Sequence, residues 1–294
     1  DMLSTTVLAC PCKKLVAPAM NTNMLNNPIT QDNLATLRRY GFGIIEPAVG
    51  VLACKDVGAG KLPKEELLYQ YILQEILRPK DLSGKKVLIT AGPTCEPLDP
   101  VRYLTNRSSG KMGYALAKEC CLRGADVPLV SGKTALEPWP FVKTVSVETA
   151  QQMFDQVTSR APQTDIIIKA AAVADYRPKT ICDEKIKKSD GSFCIETERT
   201  RDILKYLGEH KPQGQFLCGF SMETEHLLEN SRKKLDKKNA DMIVANNIKV
   251  AGAGFAGDTN VITIITADEE KELELMSKED AARHIIDEIV ARIR

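Results

Sequence analysis

The stretch that most constrains the fold is residues 86–124, KVLITAGPTCEPLDPVRYLTNRSSGKMGYALAKECCLRG, which spells a buried strand, a long loop and a helix. Val87, Leu88 and Ile89 form an apolar, β-branched run after the Ser83-Gly84 turn, as expected of a strand covered on both faces. Gly92-Pro93 ends it. The spacing of Met112, Ala115, Leu116 and Cys120 predicts a helix that starts near Gly110 and stops before Gly124. Ser108, Ser109 and Gly110 at its start offer hydroxyls, open backbone N–H groups and the positive end of a helix dipole, with Arg102 and Lys111 adding charge. This suits an anion such as phosphate. Spacing alone leaves an ordinary strand-to-helix connection equally open. The loop is not a Walker A motif, since Met112 follows Lys111 where Ser or Thr is needed, and it is not GxGxxG.

The alternation continues: strand 86–91, helix 110–123, strand 126–130, helix 148–159, strand 165–169. Beyond these the pattern predicts a helix from Arg201 to Glu209, a strand at 215–219, a helix from Glu223 to Lys237 and a strand at 241–245. Such βαβ repetition predicts a doubly wound, mainly parallel, Rossmann-like α/β sheet. Thr259–Thr266 and Lys271–Met276 flank Ala267-Asp268-Glu269-Glu270 as an antiparallel hairpin extension, and a helix from Lys278 closes the chain. Upstream, residues 1–80 read as a partial flavodoxin-like α/β segment. It has a short strand at 14–17, a helix from Pro28 to Arg39, a strand at 43–46, a glycine-bearing loop at 56–60 and a helix from Pro63 to Arg78. Its opening residues resemble the interior of a helix, so the chain reads as a fragment. The division expected is 1–80 and 81–294.

Lys plus Arg number 40 against 39 Asp plus Glu, a net charge of +1, which removes any general attraction to nucleic acid or an acidic membrane. Any anion site must be local. No apolar run is long enough to span a membrane and no signal-peptide pattern opens the chain, so a cytoplasmic location is expected. Nine cysteines without paired CxxC groups argue against a disulfide framework or structural zinc.

A second loop, Lys169-Ala170-Ala171-Ala172-Val173-Ala174-Asp175-Tyr176-Arg177-Pro178, also follows a parallel strand, where open sheets bind ligands. Small residues allow a base or ribose to approach the backbone. Asp175 suits a hydroxyl or a metal, and Lys185 in Glu184–Lys188 suits phosphate charge; a solvated basic loop is the plainer alternative.

AGPTCEPLDPVRYLTNRSSGKMG, KAAAVADYRPK, EKIKK, RDIL, GFSMET and KLDKKNADMIVAN, in this order, resemble the phosphopantothenate–cysteine ligase domain of bacterial bifunctional coenzyme A biosynthesis proteins. The resemblance implies joining of 4'-phosphopantothenate to CTP as an acyl-cytidylate, then displacement of CMP by cysteine. It implies Mg2+ (on Asp175), a homodimeric ligase domain and a higher oligomer in the intact protein. By motif position it makes Lys185 the residue that stabilises charge during acyl-cytidylate formation, Asn106 the amide that helps convert the intermediate, and Arg102 a substrate ligand. The CTP site it implies comprises Lys169, Ala170, Ala171, Asp175, Lys185, Arg201, Asp202, Ile203, Leu204, Phe220, Lys234 and Lys238. Phe220 is expected just beyond a strand end, where it can pack on a pyrimidine; Lys234 and Lys238, i and i+4 on a helix, would repel unless an anion lay between them.

PAMNTNM and GVLACKDVGAGK in residues 1–78 resemble the end of the flavin-dependent phosphopantothenoylcysteine decarboxylase. This implies FMN, with Asn21 in the active site and Cys54 as proton donor. Leu25 stands where that family has tryptophan, Lys55 where it has glycine, and no histidine precedes Asn21. The chain alone is therefore not expected to decarboxylate. Two other classes compete: a dinucleotide-dependent oxidoreductase, weakened by the missing GxGxxG, and a noncatalytic nucleotide-binding module.

Overall fold

The computed structural model describes residues 1–53, 55–187, 193–223, 227–247 and 257–293. It divides into two compact units, Asp1–Pro79 and Lys80–Arg294. In the first, α1 (Met2–Ala9) precedes β1 (Leu15–Val16), α2 (Thr22–Leu25), α3 (Pro28–Arg39), β2 (Gly43–Ile44), β3 (Ala48–Val51), β4 (Val57–Lys61) and α4 (Glu65–Ile76). β1 pairs with β2 in parallel, and β3 with β4 as an antiparallel hairpin. The 56–60 stretch, expected as a loop, is thus largely strand. The hairpin braces the PAMN turn: Thr22 Oγ1 donates to Ala59 O at 2.7 Å and Met20 N to Gly60 O at 2.9 Å. α3 begins as its sequence dictates, with Pro28 in the first turn and Asn27 capping Ile29 N.

The second unit runs β5 (Val87–Ala91), β6 (Cys95–Pro97), β7 (Tyr103–Thr105), α5 (Lys111–Leu122), β8 (Pro128–Ser131), β9 (Lys143–Ser146), α6 (Ala150–Arg160), β10 (Ile166–Lys169), β11 (Tyr176–Pro178), β12 (Thr197–Arg199) and α7 (Ile203–Glu209). There follow β13 (Phe216–Glu223), α8 (Leu227–Lys237), β14 (Met242–Asn247), β15 (Thr259–Asn260), β16 (Ile262–Thr266), β17 (Glu270–Glu272), β18 (Met276–Ser277) and α9 (Lys278–Ile293). The main sheet has the order β17-β16-β14-β13-β10-β5-β8-β9. Strands β14 through β9 in that order are parallel; β16 and β17 add the antiparallel extension. The fold is the expected mainly parallel α/β sheet.

Successive strand residues face opposite layers, so each central strand is apolar throughout. Val87, Ile89, Ile168, Cys218, Val244 and Ile264 pack under α5 and α9; Leu88, Ile167, Leu217 and Ile243 pack against α6, α7 and Leu235 of α8. α6 is anchored by a capping box between Thr149 and Gln152. An ion cluster centred on buried Arg123 ties α5 to α9 and to the segment before β5: Arg123 bonds Glu119 at 3.0 Å, Asp81 at 3.4 Å and Asp287.

Several boundaries differ from the sequence reading. The helix expected from Gly110 starts at Lys111, because Gly110, with φ +80°, is its left-handed cap. The helix expected from Arg201 starts at Ile203, since Asp202 caps it through Lys205 N. The strand expected at 215–219 runs to Glu223 because its pairing with β14 continues to Asn247. The helix expected from Glu223 is described from Leu227; positions 224–226 lie outside the described residues. β9 and the hairpins β6–β7 and β11–β12 fall in stretches read as loops. Each has strands of three or four residues, too short to show a two-residue period.

Candidate functional site

From β5 the chain moves outward to β8 and β9, then returns to the other side of β5 as β10. The winding therefore reverses between β5 and β10, the place where open α/β sheets bind ligands. The two loops leaving these strands are laced together. Ala172 N donates to Gly92 O at 3.0 Å and Thr94 N to Ala172 O at 3.3 Å, extending the β5–β10 pairing by one bridge. Thr90 Oγ1 accepts from Ala171 N at 3.1 Å and Thr94 Oγ1 from Ala174 N at 2.9 Å. Thr90 and Thr94 are fully buried, so both loops are fixed rather than draped over the surface.

A cleft of about 340 Å³ opens on this junction. Of the residues expected at a site, Asn106, Ser108, Ser109, Gly110, Lys111, Lys169, Ala170, Ala171, Asp175, Phe220 and Lys234 line it. The N-terminus of α5 points its first turn there, and Gly110 provides no side-chain cap. The cap residue thus contributes no side-chain acceptor to the helix start, where backbone N–H groups and the helix dipole favour an anion. Gly110 must be glycine: its φ is positive, and a Cβ would stand 3.3 Å from the Gly92 backbone. Ser108 Oγ accepts from Gly110 N at 3.3 Å, and Asn106 Nδ2 donates to Ala172 O at 3.0 Å. That bond aims the Asn106 amide across the junction and uses one of its two N–H groups.

Lys169 ends β10. No hydrogen bond or ion pair joins its ammonium to the described residues, and desolvation, with the Lys234 cation adding repulsion, pushes its pKa down to about 8. Lys234 donates to Phe220 O at 2.9 Å and Lys238 to Asp202 Oδ2 at 2.6 Å. The lysine pair on α8 is therefore held apart by a carbonyl and a carboxylate, so it needs no bound anion to coexist. Burial pushes the Asp202 carboxyl up, but Lys238 and the Lys205 amide outweigh it and hold the pKa below the usual carboxylate range. At the far wall Lys111 bonds Asp258 Oδ1 at 2.7 Å, and Lys278 bonds Gly257 O at 2.6 Å.

Phe220 lines the cleft from within β13 rather than from beyond it, and packs at the edge of the core. The remaining expected residues do not line the cleft. Ile203 and Leu204 are core side chains, 1% and 2% exposed. Arg201 stands over the Phe154 ring at 5.0 Å. Arg102 is bound by Asp99 and by Ile186 O, and Lys185, exposed, stands outside the cleft. In the first unit Asn21 caps α2 through Asn23 N at 2.8 Å; Cys54 lies outside the described residues.

The reading of the sequence missed Ser221, Asn246, Asn260 and Lys278 as cleft residues. Ser221 Oγ and the Oδ1 atoms of both asparagines are buried without a hydrogen-bond partner, an unmet capacity worth about 1–3 kcal/mol each. Nothing in their spacing separates them from ordinary strand residues. Among the described residues no three His, Cys, Asp or Glu side chains group as a metal cage, and no helix is long and apolar enough to cross a membrane.

Residues 82–293 match the family model described as DNA/pantothenate metabolism flavoprotein C-terminal domain, and residues 2–77 match the Flavoprotein model. The chain is 47% identical over 297 residues to a coenzyme A biosynthesis bifunctional protein CoaBC of Bacillus subtilis, covering 99% of this chain and 72% of that protein. It is 43% identical to the CoaBC of Vibrio vulnificus strain CMCP6, covering 98% and 72%. A crystal structure of the C-terminal domain of a CoaBC superposes with a TM-score of 0.63 at 47% identity, covering 73% of this chain and 98% of that one.

Proposed function

The chain belongs to the CoaBC family of bifunctional coenzyme A biosynthesis proteins, and from that premise we propose that its Lys80–Arg294 unit is a CTP-dependent phosphopantothenate–cysteine ligase. A carboxylate oxygen of 4'-phosphopantothenate attacks the α-phosphorus of CTP and pyrophosphate leaves. The amine of cysteine then forms the new C–N bond, the acyl C–O bond breaks, and CMP departs as the amine loses a proton. Charge builds on phosphoryl oxygens in the first step and on the acyl oxygen in the second. The observation that carries this reading is Lys169: a cation with no hydrogen bond or ion pair to the described residues, at the end of β10, lining the same cleft as the start of α5.

In this reading Lys169, Lys234 and the first turn of α5 bind phosphate oxygens, and the second N–H of Asn106 binds the acyl oxygen. Asp175 is the acidic group lining the cleft, and one carboxylate completed by phosphate oxygens is an ordinary way to hold Mg2+, which would neutralise the leaving pyrophosphate. Lys185 and Arg102, outside the cleft of their own chain, make a second copy part of the proposal, as a homodimer. For the first unit the Flavoprotein match favours FMN, yet its described glycines sit in turns and strands rather than in a loop opening a helix. Those residues do not form the glycine-rich helix start that would cradle a flavin phosphate.

The test is pyrophosphate release across CTP, ATP, GTP and UTP with Mg2+ and phosphopantothenate. Release with CTP, and amide formation only when cysteine is added, supports the reading. CTP binding without release, under any combination, supports a noncatalytic module instead.

A further inference from the structure

Ile186, the residue after Lys185, is gripped by both of its backbone groups. Its N–H donates to Asp99 Oδ2 at 3.1 Å, and its carbonyl accepts from Arg102 Nη2 at 2.7 Å. Arg102 Nε in turn donates to the same Asp99 oxygen at 2.9 Å. The Asp99 side chain is fully buried in the tight 98–102 connection between β6 and β7, where Oδ1 accepts from Val101 N and Arg102 N, each at 2.8 Å. Cys182 N adds a bond to Leu98 O at 3.0 Å. Burial opposes the Asp99 charge, but the guanidinium and three amides hold its carboxyl far below the usual range. One carboxylate thus serves as hub for a turn, an arginine and a segment 87 residues away in sequence.

A turn of this kind needs only one side-chain oxygen. Oδ1 fulfils that need, so Oδ2 is free to act as the acceptor that locks Arg102 and Ile186 together. Lys185 itself makes no bond to the described residues; its backbone position is set by the neighbour that the clip holds. We propose that Asp99 is a positioning residue for Lys185: by fixing Arg102 and the Ile186 backbone it determines where the Lys185 ammonium stands when the nucleotide is attacked. This rests on the ligase reading, and it assigns to Arg102 a structural partnership that competes with direct substrate binding.

Asp99→Asn isolates the effect, because the amide oxygen preserves the turn while its NH2 faces three donors, Arg102 Nε and Nη2 and Ile186 N, and cannot accept from them. The expected result is a 10- to 100-fold fall in kcat for pyrophosphate release, with the KM for CTP within about threefold. In the double variant with Lys185→Gln, the loss should equal that of Lys185→Gln alone, since Asp99 acts through Lys185. Ile186→Pro, which removes the gripped N–H from an exposed segment, should reproduce the loss even if Asp99→Asn folds poorly. Independently of activity, trypsin should cut after Lys185 or Lys187 several-fold faster in Asp99→Asn than in wild type. Wild-type rates in both Asp99→Asn and Ile186→Pro overturn the positioning role, as do losses that multiply with Lys185→Gln. A wild-type chain that releases no pyrophosphate overturns the ligase reading and this role with it, whatever the trypsin result.

Discussion

The two edges of the main sheet carry similar lysines with opposite employment. At the amino edge Lys211 bonds Asp241 at 2.9 Å and Lys85 approaches Asp165 at 3.9 Å; each carboxylate also accepts a strand N–H, from Leu217 and Lys86 respectively. Those charges are consumed in fastening strand starts. At the carboxyl edge Lys169 ends a strand with no carboxylate at bonding distance among the described residues, beside a helix start with no side-chain cap. One edge pairs its lysines with carboxylates, and in the proposed reading the other edge keeps Lys169 for a ligand. A fold of this class needs no such asymmetry to be stable, and the ligase reading proposed above gives it a use.

The sharpest way to break this comparison is to remove the charge at the carboxyl edge. Lys169→Met should weaken CTP binding, measured by calorimetry, by about 10- to 150-fold, the value of a hydrogen bond to a charged group of roughly 1.5–3 kcal/mol. Because its pKa lies near 8, the wild-type affinity should also fall as the pH rises through about 8, by up to tenfold per unit, and this slope should vanish in Lys169→Met. The sign for stability is opposite. Between about 8 and 10.5 the unfolded chain holds a proton on this lysine that the folded chain lacks, so ligand-free stability contributed by Lys169 rises with pH across that window. Gly110→Ala, strained at φ +80° and pressed on Gly92, should cost about 1–2 kcal/mol in urea unfolding and loosen CTP binding as well. Lys211→Met at the amino edge should lower stability by about 1 kcal/mol and leave CTP affinity unchanged. Equal effects on binding at both edges would dissolve the distinction.

How much of this was legible follows the length of each signal. The central strands announced themselves because burial on both faces makes them continuous apolar runs, and α3 because Asn27 and Pro28 mark its start. Residue type suggests an anion at Ser108–Lys111 with Arg102; the structure puts Ser108, Ser109, Gly110 and Lys111 on one cleft with Lys169, Asp175 and Lys234, and Arg102 outside it. The short hairpins were not legible, since three residues show no period, and β4 was hidden by its glycines. Asn246 and Asn260 were invisible because what sets them apart, a buried oxygen without a donor, depends on strands distant in sequence. Lys234 and Lys238 were read as needing an anion between them; the sequence could not reveal that Phe220 O and Asp202 supply the relief.

The most direct measurement follows oxygen. With both carboxylate oxygens of phosphopantothenate labelled with oxygen-18, turnover in the presence of CTP and cysteine should place one labelled oxygen in CMP, because the acid must bond the α-phosphorus before the acyl C–O bond breaks. CMP recovered without label, from a reaction that nonetheless forms the amide, would contradict the claim that this edge holds a triphosphate against an acid for attack at phosphorus.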